Sequence, residues 1–285
     1  MPDEPTTPGP VALPVAVAIP CYNEAAAVEV VVSAWRSALP EAEVVVFDNR
    51  STDGTGAIAR GLGVRVVDVP DRGKGCAVRA IFDVLADRPA VILVDGDGTY
   101  PADRARDLLA PVLAGEADMA VGARRPVAAP GAMTPIRGLG NLLIPAAFRL
   151  LIGPGNDDLL SGYRAFSPRF LREVRLRSTG FEVEAELASE AVARRMRVVE
   201  VAVPYHPRIA GTASKLKAFR DGRRIITMIL VQGLRLRPWR LLGCVGAAGG
   251  LGALAVGSRP MLLAAGTVLV AAVAPAAWAG SRGRG

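Results

Sequence analysis

The chain has little of the side-chain chemistry on which most hydrolases and zinc sites depend. Its 285 residues include a single histidine, His206, and three scattered cysteines, Cys21, Cys76 and Cys244. One histidine argues against Ser-His and Cys-His hydrolases and excludes a histidine-rich metal cage. Three scattered cysteines exclude a disulfide framework and a cysteine-rich zinc site. Any bound metal must therefore sit on carboxylates, which favours Mg²⁺ or Mn²⁺.

Lysine is scarce as well, although the chain is basic. Of 34 basic residues only Lys74, Lys215 and Lys217 are lysines, and the formal net charge is +7. A basic surface suits nucleic acid, anionic lipid or phosphorylated substrates. No basic run is interleaved with aromatic residues, so we expect no nucleic-acid partner. The occurrence of lysine at residue 74 and at residues 215 and 217 reflects either chance or a need for a compact ammonium group at these two positions in the chain.

Apolar runs rich in β-branched residues alternate with segments of helical composition. Strands are predicted over residues 15–20, 43–48, 64–69, 90–95 and 119–122, and helices over residues 24–38, from residues 52–54 onward, and over residues 74–87. This alternation predicts βαβ units and an α/β fold, in which helices cover both faces of a mostly parallel sheet. The acidic, proline-rich residues 1–12 lack the features of a signal peptide and predict a short disordered tail.

Polar residues follow three of the predicted strands. The first strand ends at Pro20, the second at Asp48 and the fourth at Asp95. Ligands of such sheets bind outside the carboxyl ends of the strands. Each polar residue alone could be a helix cap, but together at one edge they predict a binding site.

Two short motifs at this edge carry candidate phosphate chemistry. Asp95 and Asp97 flank one glycine, and two carboxylates at a strand end can hold a divalent ion between two phosphates. In the segment RGKG, residues 72–75, glycines would let the backbone approach a phosphate and Lys74 would supply a point charge. The sequence has no GxxxxGK[ST] phosphate loop and no GxGxxG after the first strand, which disfavours P-loop and dinucleotide folds.

The C-terminal part of the sequence contains two long uncharged segments. Residues 241–258 and 260–281 have no charged side chain, and a spanning helix needs about 20 apolar residues. Arginines flank the pair, so we expect a transmembrane hairpin over residues 241–281 with both ends in the cytoplasm. A soluble hairpin rich in alanine and glycine is the alternative. Residues 223–240 include an apolar stretch with cationic ends and predict an amphipathic helix at the membrane interface.

Six segments in a fixed order carry a resemblance to a known family. They are IPCYNE (19–24), FDNRSTDGT (47–55), RGKG (72–75), DGDGTYP (95–101), DLLSGYRAF (158–166) and EVAVPYHPRIAGTASKL (200–216). The chain over residues 15–222 resembles the family 2 glycosyltransferases of the GT-A fold, in the branch of dolichol-phosphate mannose and polyprenyl-phosphate sugar synthases. The resemblance implies a GT-A catalytic domain over residues 13–222, before the interfacial helix and the hairpin.

The resemblance and the charges together suggest roles for individual residues. Those expected to bind the nucleotide are Pro20, Tyr22, Glu24, Asp48, Lys74 and Asp95. Asp95 and Asp97 match the pair that binds Mg²⁺ or Mn²⁺. Those expected to bind the acceptor phosphate are Arg124, Arg137, Ser161, Arg208, Ser214 and Lys215, with Gly162 and Arg164 in the same motif as Ser161. The expected catalytic residues are Asp97, Asp158 and Arg208. Asn49 departs from the family, because many members have a second aspartate there, and this leaves the nucleotide base open.

The resemblance implies an inverting transfer of a sugar from a nucleoside diphosphate sugar to a polyprenyl phosphate at the cytoplasmic face of the membrane. A lipid monophosphate is already anionic at pH 7 and needs cations to hold it, whereas a sugar hydroxyl needs a general base. Two alternatives stay open. One is transfer to another lipid or a hydroxylated small molecule with Asp158 as base, and the other is a non-catalytic membrane scaffold. The sequence also leaves open the sugar, the prenyl length and whether the chain forms a homo-oligomer.

Overall fold

The computed structural model describes residues 14–126, 135–212, 215 and 217–256, so the predicted tail over residues 1–12 lies outside the described residues. The chain divides into two compact units. The first comprises Met1–Ala129, Ser161–Gly180 and Met196–Ser214, and the second comprises Pro130–Leu160, Phe181–Arg195 and Lys215–Gly285. In chain order the elements are β1 (Ala16–Cys21), α1 (Val28–Ala38), β2 (Glu43–Asp48), α2 (Thr55–Gly61), β3 (Arg65–Asp68), α3 (Lys74–Val84), β4 (Val91–Leu93), a 3-10 helix (Ala102–Arg104), α4 (Ala105–Leu113), β5 (Met119–Pro126), α5 (Pro135–Leu151), β6 (Arg164–Phe166), α6 (Pro168–Glu173), α7 (Val183–Ala193), β7 (Val198–Tyr205), α8 (Ala218–Leu236) and α9 (Pro238–Val256).

The first unit is built on one sheet whose strands, in the part of the chain described, run in the order β3-β2-β1-β4-β6-β5-β7. β1 pairs in parallel with β2 and β4, β2 pairs in parallel with β3, and β5 pairs in parallel with β7. β6 is antiparallel to both of its neighbours, β4 and β5. The predicted α/β fold with a mostly parallel sheet is therefore confirmed, and β6 and β7 are the two strands of this sheet that are not among the five predicted above.

The central strands β1 and β4 are buried because helices cover them, and their composition matches that position. Ala16 to Ile19 in β1 and Val91 to Leu93 in β4 are almost completely buried, which explains why both strands read as continuous apolar runs. Trp35 of α1 belongs to the same core and meets the ring of Tyr163 edge-on, with the ring centroids 5.7 Å apart. This rigid core fixes the strand ends from which the candidate site is built.

α1 begins four residues later than the sequence predicts. The backbone N–H groups of Ala27 and Val28 both donate to the carbonyl of Glu24, and Asn23 has a left-handed φ of 53°. A left-handed residue cannot belong to a right-handed helix, so no helix extends back through Asn23, and residues 25–27 form turns. Residues 22–27 are therefore a loop between β1 and α1. Tyr22 and Glu24 are thereby placed at the edge of the sheet.

The second unit is helical and contains α5, α7, α8 and α9. Its core joins Phe148 of α5 and Ile152, the residue after α5, with Ala185 of α7 and with Ile225 and Ile229 of α8. Residues 225 and 229 lie one helical turn apart, so they occupy one face of α8. This periodicity gives α8 a buried face within the second unit.

The predicted interfacial helix over residues 223–240 needs correction at both ends. α8 begins at Ala218 and ends at Leu236, and α9 then begins at Pro238. The residue before a proline is disfavoured in a helix, and Arg237 has an extended φ of −147°. The proline therefore divides this stretch into two helices.

No helix within the described residues is both long and apolar enough to cross a membrane. The first predicted span, residues 241–258, falls largely on α9, and the second, residues 260–281, lies outside the described residues.

Candidate active site

The candidate site lies at one edge of the sheet in the first unit. The carboxyl ends of β1, β2 and β4 meet there because these strands are parallel. β6 reverses direction, so its amino end and the carboxyl ends of β5 and β7 reach the same edge. The sequence analysis expected the residues after β1, β2 and β4 to meet at this edge, and the strand pairing agrees.

Each carboxylate of the Asp-Gly-Asp motif is paired with a cation. Lys74 Nζ lies 2.6 Å from Asp95 Oδ1, and Arg208 Nη1 lies 2.6 Å from Asp97 Oδ2. The other oxygen of Asp97 accepts hydrogen bonds from Thr99, at 3.0 Å from its backbone N and 2.6 Å from its Oγ1. The Asp97 side chain is only 4% exposed, so these partners fix its carboxylate in one orientation.

The chemistry of this pair suits a hard divalent cation. Asp95 and Asp97 present carboxylate oxygens from one strand end, where Lys74 and Arg208 already supply positive charge. The described residues contain no group of three or more His, Cys, Asp or Glu side chains that could hold a metal ion. Mg²⁺ commonly takes one or two carboxylates and fills its other positions with water and substrate phosphates, so two carboxylates are sufficient.

The RGKG segment leads into α3 and places Lys74 beside Asp95. Gly73 has a left-handed φ of 136°. A Cβ at Gly73 would overlap the carbonyl oxygen of Thr179, and one at Gly75 would overlap that of Ser178. The backbone N–H of Gly75 also donates to the Thr179 carbonyl at 3.0 Å. In the structure, glycine is required at both positions because the backbone of Ser178 and Thr179 packs against them. This reason differs from the expected approach of the backbone to a phosphate.

Asn49 connects the end of β2 to the same segment. Its Nδ2 donates to the carbonyl of Asp71 at 2.6 Å, and its Oδ1 accepts from the backbone N–H of Gly73 at 2.6 Å. Asn49 is buried. An aspartate could accept from Gly73 but could not donate to Asp71. The asparagine that departs from the family pattern thus serves to clamp the loop that carries Lys74.

The expected nucleotide-binding residues lie on connected loops at the ends of β1 and β2. Arg72 places its guanidinium 4.4 Å from the centroid of the Tyr22 ring. The backbone N–H of Glu24 donates to Thr55 Oγ1 at 2.9 Å, and Asp48 Oδ1 accepts from the backbone of Ser51 at 3.0 Å. Pro20 lies in β1 with Asp48 at the end of the paired strand.

Asp53 joins these two loops by accepting hydrogen bonds from both sides. Its Oδ2 accepts from the backbone of Ala25 at 3.0 Å, and its Oδ1 accepts from Thr55. Burial works against ionisation of Asp53, but the hydrogen bonds from Thr55 and Ala25 outweigh it and lower the pKa of this carboxyl. Asp53 therefore stays ionised at neutral pH.

Ser161 has a structural role that the sequence analysis did not anticipate. It was expected to bind the acceptor phosphate, yet it is completely buried. Its Oγ donates to the carbonyl of Gly122 at 2.7 Å and accepts from the backbone of Tyr163 at 3.3 Å. Arg164, from the same motif, is also fully buried and donates from Nε to the Ser161 carbonyl at 3.0 Å. Both residues shape the turn before β6.

Arg124 and Arg208 remain candidates for binding an anion at this edge. Arg124, near the end of β5, places its guanidinium 5.4 Å from the centroid of the Tyr205 ring. Arg208 belongs to the loop after β7, and this loop is held to the Asp-Gly-Asp motif by a hydrogen bond of 3.3 Å from the Ile209 backbone to the Asp97 carbonyl. The side chains of Arg124 and Arg208 are both partly exposed.

The remaining predicted residues lie elsewhere in the chain. Arg137, Asp158 and Lys215 belong to the second unit, and Ser214 lies outside the described residues. The expectation that these four residues bind the acceptor, or act as base in the case of Asp158, stays a prediction.

Cys21 is buried, and burial raises the pKa of its thiol well above the ordinary range. A Cβ on Gly96 would come within 2.7 Å of the Cys21 sulfur, so Cys21 fills the space beside the Asp-Gly-Asp motif. A neutral, packed thiol is a poor nucleophile, so Cys21 serves as a packing residue.

Comparison with known proteins places the chain in a family. The sequence model described as Glycosyl transferase family 2 matches residues 16–139. Glycosyltransferase AglJ of Haloferax volcanii is 37% identical over 234 residues, which are 82% of this chain and 77% of AglJ. The dolichyl-phosphate hexose transferase of the same organism is 33% identical, over 78% of this chain and 96% of that protein. The polyprenol monophosphomannose synthase of Mycolicibacterium smegmatis is 31% identical, over 80% and 90% of the two chains.

A solved structure supports the same assignment at the level of the fold. Glucosyl-3-phosphoglycerate synthase of Mycobacterium tuberculosis, in complex with Mn²⁺, uridine-diphosphate-glucose and phosphoglyceric acid, superposes with a TM-score of 0.59 at 24% identity, over 78% of this chain and 80% of that one. The likeness is one of fold and shows a GT-A-like α/β architecture. The sequence relatives show that the chain belongs to glycosyl transferase family 2 and is a glycosyltransferase.

Proposed function

We propose that this glycosyltransferase transfers a sugar from a nucleoside diphosphate sugar to a polyprenyl phosphate, with inversion at the sugar carbon. The observation that carries the proposal is the alternation of two carboxylates and two cations at one sheet edge, Asp95 with Lys74 and Asp97 with Arg208. When a donor binds, its diphosphate can pair with Lys74 and Arg208. A divalent ion can then pair with the carboxylates of Asp95 and Asp97. A metal–diphosphate complex therefore matches the charges of this edge.

The residues divide the work of holding the donor. Asp95 and Asp97 would hold Mg²⁺ or Mn²⁺, which when bound supplies charge that stabilises the departing diphosphate. Lys74 binds a diphosphate oxygen as a point charge. Tyr22 and Asp48 hold the nucleoside beyond the ends of β1 and β2.

The edge supplies cations for the acceptor and offers little that could act as a general base. Among the described carboxylates at this edge, Asp95 and Asp97 are ion-paired and Asp53 has a lowered pKa. Glu24 and Asp48 are assigned to the nucleotide in this proposal. A general base needs a pKa near the operating pH, so a hydroxyl acceptor would depend on a group outside this set. An anionic lipid phosphate needs no base and is held by Arg124 and Arg208. The names of the relatives, a dolichyl-phosphate hexose transferase and a polyprenol monophosphomannose synthase, support a lipid phosphate acceptor.

A membrane-bound acceptor requires contact with lipid, and α8 has a suitable exposed surface. Phe219, at its start, is 82% exposed, and Leu230, Val231 and Leu234 are also exposed. Exposed arginines accompany them, the combination expected of a helix at an anionic membrane surface. We propose that this helix lies on the cytoplasmic face of the membrane, where nucleotide sugars are present, and that residues 241–281 anchor it.

The test measures sugar transfer by the purified full-length chain in detergent. A panel of nucleoside diphosphate sugars is offered with Mn²⁺ or Mg²⁺, and the acceptors are a short polyprenyl phosphate and the matching free polyprenol. We expect product with the phosphate and none with the alcohol. Equal turnover of the two acceptors would refute the phosphate acceptor, and preference for the alcohol together with loss of activity in Asp158→Asn would establish the hydroxyl alternative. Nucleotide binding without any transfer would favour the scaffold.

A further inference from the structure

The hydroxyl of Tyr100 lies in the interior of the first unit and contacts a turn that is remote in sequence. Tyr100 is buried, and its Oη accepts a hydrogen bond from the backbone N–H of Gly162 at 3.0 Å. Ser161 Oγ lies 3.5 Å from the same oxygen. Burial raises the pKa of Tyr100 above its ordinary value, so the group remains a neutral phenol. The hydroxyl thus links the segment after β4 to the turn before β6.

The same turn lies directly against one of the two expected metal ligands. A Cβ built on Gly162 would overlap Asp95 Oδ2 and would lie 2.7 Å from Asp95 Cγ and 2.8 Å from its Oδ1. The carboxylate therefore packs on bare backbone along one side. Lys74 holds one of its oxygens at 2.6 Å. The orientation of the Asp95 carboxylate depends on where these two neighbours are fixed.

Lys74 is a flexible side chain, whereas the turn is fixed by several contacts. Ser161 donates to the carbonyl of Gly122, and Tyr100 accepts from Gly162. The Tyr100 ring is itself held between Tyr163 and Tyr205, with ring centroids 5.4 Å and 5.3 Å away. The phenol is therefore rigid, and it transfers that rigidity to the turn through one hydrogen bond.

We propose that Tyr100 is a positioning residue for the donor site. By accepting from the Gly162 N–H, it fixes the turn that orients the Asp95 carboxylate, and so sets the geometry in which Asp95 binds the metal–diphosphate. The inference rests on the proposed metal-dependent use of a nucleoside diphosphate sugar. Hydrogen-bonding partners of metal ligands orient them, and losing such a partner typically lowers metal affinity by about 10- to 100-fold. Tyr100 acts on Asp95 through the Gly162 turn, one contact further from the metal, so we expect an effect at the lower end of this range.

The chain offers a matched control in a neighbouring tyrosine. Tyr163 is also fully buried, and its Oη has no hydrogen-bond partner among the described residues. Tyr163→Phe removes a buried hydroxyl from the same aromatic cluster without breaking a hydrogen bond. Tyr100→Phe removes the hydroxyl that receives the Gly162 N–H. Tyr100→Phe therefore loses the Gly162 hydrogen bond and the longer contact with Ser161, both in the same turn, whereas general effects on packing should appear in both variants.

The experiment compares the wild type, Tyr100→Phe and Tyr163→Phe as full-length proteins without acceptor. Mn²⁺ affinity is measured from the electron paramagnetic resonance signal of the free ion, with and without nucleoside diphosphate. Amide hydrogen exchange is followed in the peptide that contains Gly162. We expect Tyr100→Phe to bind Mn²⁺ about 10-fold more weakly and to lose protection in that peptide, while Tyr163→Phe matches the wild type.

A second variant protects the test against a folding artefact. Gly162→Ala keeps the phenol but places a methyl group against the Asp95 carboxylate, and it should also weaken Mn²⁺ binding. Circular dichroism confirms that each variant is folded. Unchanged Mn²⁺ affinity in Tyr100→Phe, or an equal loss in both phenylalanine variants, would overturn the role of Tyr100. If the wild type itself binds neither Mn²⁺ nor any nucleoside diphosphate, the proposed donor chemistry is wrong and the inference falls with it.

Discussion

Replacing Asn49 by aspartate tests whether the amide clamps the loop that carries Lys74. The change keeps size and shape and preserves an acceptor for the Gly73 N–H. It replaces the Nδ2 donor, 2.6 Å from the Asp71 carbonyl, with an oxygen that cannot donate. A carboxylate oxygen would then face the Asp71 carbonyl oxygen in a buried position. Because two acceptors repel each other, the loop over residues 71–73 must move away from the substituted side chain.

The size of the effect follows from the lost contact. Leaving a buried carbonyl without its donor costs about 1–3 kcal/mol. The loop must be ordered to present Lys74 to a diphosphate, so this cost opposes donor binding. Since about 1.4 kcal/mol is a factor of about ten in an equilibrium constant, nucleoside diphosphate affinity should fall by about 5- to 150-fold. The nucleoside alone, which we propose is held by Tyr22 and Asp48, should bind nearly as well as before.

Isothermal titration calorimetry of the diphosphate and of the nucleoside measures this difference. Asn156→Asp is the matched control, because Asn156 Nδ2 donates to the backbone carbonyl of Asp158 at the same distance of 2.6 Å, in the second unit. It should lower stability without changing diphosphate affinity. The clamp would be refuted if Asn49→Asp bound the diphosphate within about twofold of the wild type, or if nucleoside binding fell equally.

Four further predictions concern the metal, the acceptor, the membrane and pH. Asp97→Asn should stay folded but lose most transfer, because an amide is a poorer ligand for a hard cation, and chelation of divalent ions should do the same to the wild type; full activity of the variant in chelator would contradict this. Arg208→Ala should raise the KM for polyprenyl phosphate and lower kcat/KM, because the acceptor loses a charge-assisted hydrogen bond of about 1.5–3 kcal/mol. Arg208→Lys should recover only part of the lost kcat/KM. An unchanged KM for Arg208→Ala in steady-state kinetics would argue against acceptor binding by Arg208. Truncation after Arg240 should leave a folded protein that partitions weakly into membranes, and recovery of the full chain without detergent in the soluble fraction would contradict an anchor over residues 241–281. Asp53, whose folded pKa is lowered, stabilises the fold above its ordinary pKa of about 3.9 and loses that contribution as the pH falls through the lowered value. The free energy of unfolding in urea should therefore depend less on pH for Asp53→Asn than for the wild type in this acidic window. An identical pH dependence would refute the stabilising role of the Asp53 carboxylate.

The sequence carried enough information to predict the sheet edge and its carboxylates. The second strand was predicted over residues 43–48 and is observed as Glu43–Asp48, because a buried parallel strand needs a continuous apolar run that ends in a polar residue. Asp95 and Asp97 were recognised since their spacing is local. The pairing of Asp95 with Lys74 could not be predicted in this way, because Lys74 follows β3, which β2 and β1 separate from β4. Local patterns were sufficient wherever a residue's role depends on its own element.

The sequence analysis missed roles that depend on contacts with backbone groups distant in sequence. β6 has only three residues, Arg164–Phe166, and is antiparallel between β4 and β5, a position set by pairing that a short apolar run cannot reveal. Ser161 was expected to bind phosphate, but its hydroxyl is used by Gly122. Asn49 was noted as a departure from the family, and its explanation required the contacts with Asp71 and Gly73. Each of these partners lies more than 20 residues away in sequence.

The strand order also constrains how the protein is made. β5 is synthesised directly after β4 and α4, but in the finished sheet it is separated from β4 by β6. A nascent chain that has emerged only as far as β5 therefore leaves the open edge of β4 unpaired and gives β5 no neighbour on the growing sheet. β4 and β5 can pair with β6 only after Arg164–Phe166 has left the ribosome. The long sequence separation of these pairings slows their formation. Aggregation-prone intermediates should accumulate in this interval, and a chaperone that covers the edge of β4 would raise the yield of folded enzyme.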